Sequence, residues 1–152
     1  MLAPLFSAPT DSNGTFTLKE ARGSWLVLYF YPKDDTSGCT AEACDFRDSM
    51  SRLKRKGVSV VGVSPDSPKK HDKFKLKYEL TFPLVSDEDH AICEAYGVWK
   101  EKSMYGRKYM GVERTTLIID PKGKISHTFA KVSVPGHVDA VLATLKELGA
   151  FA

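Results

Sequence analysis

This chain of 152 residues is short of cysteine, has no long apolar run and carries no excess of either charge. Three cysteines are too few and the wrong parity for a structural disulfide framework, and read as thiols held in a reducing compartment. No window approaches a transmembrane length, and Met1–Phe6 lacks both a charged n-region and a continuous apolar core, so no signal peptide is expected. The expectation is a soluble, cytoplasmic protein. Lys+Arg 22 against Asp+Glu 19 leaves +3 with the signs interspersed, which excludes an obvious nucleic-acid or membrane footprint. The lysines at 69, 70, 73, 75 and 77 read as a solvated helix face, since no phosphate loop or stacking platform accompanies them. His71, His90, His127 and His137 show no ligand spacing and no Gly-rich fingerprint follows a strand, so neither metal nor nucleotide cofactor is expected. Without repeats or linkers, residues 1–152 read as a single domain, long enough to bury about two-thirds of its unfolded surface.

What is present centres on one stretch. Trp25 to Tyr31 is an apolar run ended by Pro32, fitting a strand buried on both faces, and Lys33 to Gly38 has turn chemistry. From Thr40 the pattern becomes helical, with Ala43, Phe46, Met50 and Leu53 on one stripe until Gly57. Cys39 therefore falls in or just before the first turn, where unpaired N–H groups and the helix dipole favour a thiolate. Projected at about 100° per residue, Cys39 points with the apolar stripe and Cys44 away from it. Residues i and i+5 of an intact helix lie about 9 Å apart at Cα, beyond the roughly 4.4–6.8 Å of a disulfide, so pairing these two cysteines requires the first turns to unwind. The thiols alone are equally compatible with simple packing.

Along the rest of the chain, Thr15 to Leu18 suggests a small N-terminal hairpin and Val58 to Val63 a second buried strand. Ser67 and Pro68 start a helix reaching about Leu80. Phe82 to Val85 is a short strand, and Ser86 with Asp89 resembles a capping box for a helix bearing Ile92, Cys93, Ala95 and Tyr96. Val98 to Tyr109 reads as an irregular surface loop. Thr115 to Ile119 is a third buried strand with Lys124 to Ala130 as hairpin partner, and Pro135 opens a last helix bearing Val138, Val141, Leu142, Leu145 and Leu148. The alternation predicts an α/β fold with a central mixed β-sheet flanked by helices.

The motif Pro32-x-x-x-Thr36-x-x-Cys39, with Cys44 five residues on, resembles the peroxiredoxins of the bacterioferritin-comigratory-protein (PrxQ) type. The likeness runs from Ala8-Pro9 through Gly97-Val98-Trp99 and Arg114-Thr115-Thr116 to the last helix. It implies a thioredoxin-like fold and a peroxidase acting on hydrogen peroxide and organic hydroperoxides. By resemblance, Cys39 is the peroxidatic thiol, Thr36 and Arg114 hold the peroxide, Pro32 shields the pocket, Glu42 organises the site, and Cys44 resolves the sulfenic acid as an intramolecular disulfide. Cys93 is an alternative resolving thiol, read as passive. The resemblance also implies thioredoxin, or glutaredoxin, as reductant, and a monomer. The Gly-Gly-Leu-Gly loop and Tyr-Phe tail of peroxide-sensitive relatives are missing, so resistance to overoxidation is expected. Two other classes compete: a thioredoxin-class disulfide oxidoreductase, which would use Cys-x-x-Cys spacing, and a non-catalytic redox adaptor, for which Cys39 would be dispensable.

Overall fold

Alternation of apolar residues along the buried strands gives the sheet two dry faces, and the helices divide between them. The computed structural model describes residues 1–150, so the last two positions of the expected domain lie outside the described residues. A two-stranded N-terminal hairpin, β1 (Ser7–Pro9) and β2 (Thr15–Thr17), precedes β3 (Trp25–Phe30), α1 (Ser37–Arg55), β4 (Val58–Ser64), α2 (Pro68–Tyr78) and β5 (Leu84–Ser86). Then follow α3 (Ala91–Ala95), β6 (Trp99–Met104), β7 (Arg107–Val112), β8 (Thr115–Ile119), β9 (Ile125–Phe129) and α4 (His137–Glu147). The central sheet has the order β5-β4-β3-β8-β9, with β3, β4 and β5 parallel and β8 and β9 antiparallel to their neighbours. This is the mixed sheet flanked by helices, with an N-terminal hairpin, that the alternation predicts.

Val27, Tyr29, Val58, Val60 and Ile118 face one core with Ala43, Phe46 and Leu53 of α1, Phe74 of α2, and Val141 and Leu145 of α4. Leu26, Leu28, Phe30, Val61, Val63 and Leu117 face the other, with Ala8, Leu18, Ile92 and Val98. Gly62 sits in β4 because a Cβ there would lie 3.0 Å from the Tyr29 ring; that ring needs the space to stack on Phe46 at 4.8 Å. No described helix is long and apolar enough to cross a membrane.

Two local expectations are corrected. Val98 to Tyr109 is not an irregular loop: Trp99–Met104 pairs with Arg107–Val112 in a β-hairpin. Tyr105 (φ 52°) and Gly106 (φ 78°) form its two-residue turn, both left-handed as such turns require. Polar residues on both faces hide the alternation that would have revealed the strands. The capping box at Ser86 and Asp89 does not form either. Ser86 ends β5, and Asp87 does the work, its carboxylate accepting from the backbone N–H groups of Ile92 (3.0 Å) and Cys93 (2.8 Å). At the second helix the sequence is followed closely: the Ser67 hydroxyl accepts from Lys70 N at 3.3 Å, with Pro68 in the first turn.

Candidate active site

β3 carries the chain to the end of the sheet, the segment 31–36 turns it back, and α1 starts two residues before Cys39. Ligand sites in open parallel sheets lie at this carboxyl end of the strands. Thr36 is extended before the helix, its side chain does not cap the helix start, and no acidic residue occupies the first turn. The first N–H groups of α1 are thus left to whatever approaches Cys39.

Arg114 arrives from the neighbouring strand. Register pairs Phe30 with Thr115, so Arg114 stands just beyond β8, opposite the end of β3. It shares strand parity with Thr116 and Ile118, whose side chains face α1 and α4. Its Nη2 donates to Cys39 Sγ at 3.3 Å and its Nη1 to Glu42 Oε1 at 2.7 Å. A Cβ on Gly38 would lie 3.2 Å from Nη2, so the glycine before Cys39 makes room for the guanidinium. Cys39 is 1 % exposed, which desolvates the sulfur and strengthens the electrostatic pull of the cation on it. Burial works against the arginine's charge, but the opposite charges of Glu42 and Cys39 outweigh it and hold the guanidinium above its ordinary pKa.

Glu42 is fully buried, one helical turn from Gly38, and is no mere helix-end charge. Burial raises its pKa to about 7 despite the opposing pull of Arg114. Its second oxygen, Oε2, has no hydrogen-bond partner among the described residues. Facing it is a group the sequence did not single out for the site: His137 Nε2 of α4, 3.8 Å away and hydrogen-bonded to Thr116 Oγ1 at 2.8 Å. Burial, with Arg114 nearby, pushes His137 down to about 4, so the imidazole is neutral near pH 7 and the contact with Glu42 is no ion pair there. No periodicity in the sequence links residues 42, 114, 116 and 137; the sheet and two helices bring them together.

The remaining expected residues sit around this centre. Pro32 is half-buried where the turn leaves β3. The Thr36 hydroxyl donates to Lys33 O at 2.9 Å, closing the turn, so its single proton must leave that carbonyl before it can be donated to a peroxide. Cys44 is half-buried on the outer side of α1, as the helical projection predicts, and all three cysteines are free thiols. Cys93 lies on the far face of the sheet, fully buried, where burial and the neighbouring Asp87 carboxylate push its thiol far up. A buried network underpins the turn. Asp34 accepts from Tyr31 Oη at 2.6 Å and lies 2.6 Å from His71 Nδ1, and its N–H donates to Asp66 at 2.8 Å. The ligand-type atoms of Asp34, Asp66 and His71 lie within 4.8 Å of one another, a grouping invisible to sequence spacing. They are engaged with one another and with Tyr31, Ser64 and Val85 O, which accounts for the cluster as structural.

This arrangement resembles known proteins over nearly its whole length. The AhpC/TSA family model matches residues 2–128. The chain is 47 % identical to peroxiredoxin Bcp of Bacillus subtilis over 146 residues, covering 96 % of this chain and 93 % of that protein. It is 46 % identical to peroxiredoxin Bcp of Escherichia coli strain K12, again over 96 % of this chain and 94 % of the relative. Among solved structures, the bacterioferritin comigratory protein of Xanthomonas campestris, described for its alkyl peroxide reduction, superposes with a TM-score of 0.89 at 45 % identity, covering 93 % of this chain and 90 % of that one. A thioredoxin-like fold with a buried cysteine at a helix start beneath an arginine defines a thiol-dependent peroxidase. The chain belongs to the AhpC/TSA family, within its Bcp/PrxQ peroxiredoxins. The disulfide-oxidoreductase alternative is not favoured: where Cys-x-x-Cys would place its second thiol stands Glu42, bound to Arg114.

Proposed function

We propose that Cys39 is the peroxidatic nucleophile acting on hydrogen peroxide and organic hydroperoxides, with Arg114 as the electrophilic partner. The Cys39 thiolate attacks one peroxide oxygen, the S–O bond forms as O–O breaks, and the departing oxygen leaves as water or alcohol after taking a proton. Arg114 supports the sulfur's negative charge and the charge developing on the departing oxygen, while Glu42 fixes the guanidinium's orientation. The first N–H groups of α1, and the Thr36 hydroxyl once rotated from Lys33 O, add donors. Pro32 closes the turn over the site. Cys44 then attacks the Cys39 sulfenic acid to give an intramolecular disulfide and water after α1 unwinds locally, and thioredoxin, or glutaredoxin, reduces that bond. The protein works as a monomeric single-domain enzyme.

The observation that carries this reading is the buried bridge from Cys39 Sγ through Arg114 to Glu42. The test is peroxide consumption by the purified protein with thioredoxin, thioredoxin reductase and NADPH. Cys39→Ser should abolish it. Cys44→Ser should keep one stoichiometric turnover and lose recycling, and Arg114→Gln should lower kcat/KM by about 10²–10³. Loss of recycling in Cys93→Ser, with Cys44→Ser unaffected, would overturn the resolving assignment.

A further inference from the structure

Forming a Cys39–Cys44 bond requires rearrangement of residues 37–44, and both ends of that segment are tied to one residue of α2. On the upstream side, Asp35 sits in the left-handed region (φ 61°) and its carboxylate accepts from Tyr78 Oη at 2.7 Å and Lys77 Nζ at 2.9 Å. On the downstream side, Arg47, one turn past Cys44, donates from Nη1 to the Tyr78 carbonyl at 2.7 Å. Tyr78 is itself anchored, its ring edge-on to buried Phe74 at 5.5 Å. None of these groups touches Cys39, Glu42 or Arg114.

We propose that Tyr78 is a positioning residue for the resolving half-reaction, a clasp that holds the segment between Asp35 and Arg47 wound and so sets how Cys39 sulfenic acid is divided between two fates. In one, the Cys44 thiolate attacks the Cys39 sulfur, the S–S bond forms, S–O breaks, and the hydroxide takes up the proton Cys44 released to leave as water. In the other, the sulfenate attacks a second hydrogen peroxide, gains one oxygen to become sulfinic acid, and releases water. The first requires the clasp to open and the second does not. The proposal rests on Cys44 as the resolving thiol.

The test uses Tyr78→Phe, which removes the Asp35 bond and keeps the ring, and Asp35→Asn, which removes the charge at a left-handed position that Asn tolerates. Intact mass after a fixed excess of hydrogen peroxide gives the sulfinic fraction, and rapid-quench thiol loss gives the rate of the first turnover. Both variants should lower the sulfinic fraction by about threefold, the scale of one part-exposed charged contact, with the first turnover changed less than about twofold. An unchanged or raised sulfinic fraction overturns the clasp, whether or not the melting temperature falls, as does an equal fall in the first-turnover rate. Cys44→Ser in the same assay separates the two claims. If it still forms the intramolecular disulfide, the resolving assignment fails and the clasp with it; if it blocks the disulfide while Tyr78→Phe matches wild type, only the clasp fails.

Discussion

Glu42 and His137 are a buried pair whose pKa values are displaced in opposite directions, and pH should expose them separately. Glu42 rises from 4.5 to about 7, so its contribution favours the fold below pH 4.5 and is lost as pH rises through 7. His137 falls from 6.5 to about 4, so its contribution is present above pH 6.5 and is lost as pH falls through 4. Each displacement corresponds to about 3 kcal/mol, and across pH 4.5–6.5 the two nearly cancel. Urea unfolding should therefore show stability rising with pH over that window in Glu42→Gln, relative to wild type, and falling in His137→Gln. Parallel pH profiles in all three proteins would show that these groups do not titrate as their burial demands. At the same scale, Gly38→Ala should lower kcat/KM by about tenfold or more with little change in stability, because the new methyl meets only the Arg114 guanidinium and displaces it from the sulfur.

At the scale of the element, what the sequence shows depends on whether an element's cause is local. The periodic stripe of α1 and the Ser67-Pro68 start of α2 are local devices, and both stand where the residue pattern puts them. α3 is only five residues long and owes its start to Asp87, which lies outside the capping-box spacing. Asp87→Ala should cost about 2–4 kcal/mol in chemical denaturation, since two backbone N–H groups lose a buried charged acceptor. A loss below about 0.5 kcal/mol would mean that α3 is held by packing alone. The β6–β7 hairpin was hidden for the opposite reason: most of its residues are exposed, so no buried face imposes a period of two.

At the scale of the whole molecule, the packing of α1 on the sheet opposes the disulfide chemistry assigned to it. Phe46 and Leu53 are completely buried and Phe46 stacks on Tyr29, so the proposed Cys39–Cys44 bond would unwind the first turns of α1 against an anchored remainder. The oxidised protein should accordingly melt several degrees below the reduced form in calorimetry. A higher melting temperature on oxidation would contradict local unwinding and point to a disulfide formed without strain.

Outside the β6–β7 hairpin, the succession of strands and helices, the two-faced core and the inward turn of Cys39 were determined by the sequence, because each follows from local periodicity and turn residues. Arg114 was found from its motif, and Glu42 was expected there without its complete burial or its direct bond to the arginine. Only the tertiary structure decided that Arg114 joins Cys39 to Glu42, that His137 stands behind Glu42, and that Tyr78 ties both ends of the reactive segment. These contacts join residues 31 to 95 positions apart in the chain. Distances of that kind are set by how antiparallel β8 is laid beside β3 and by where α2 and α4 pack, and no spacing along one strand or helix encodes them.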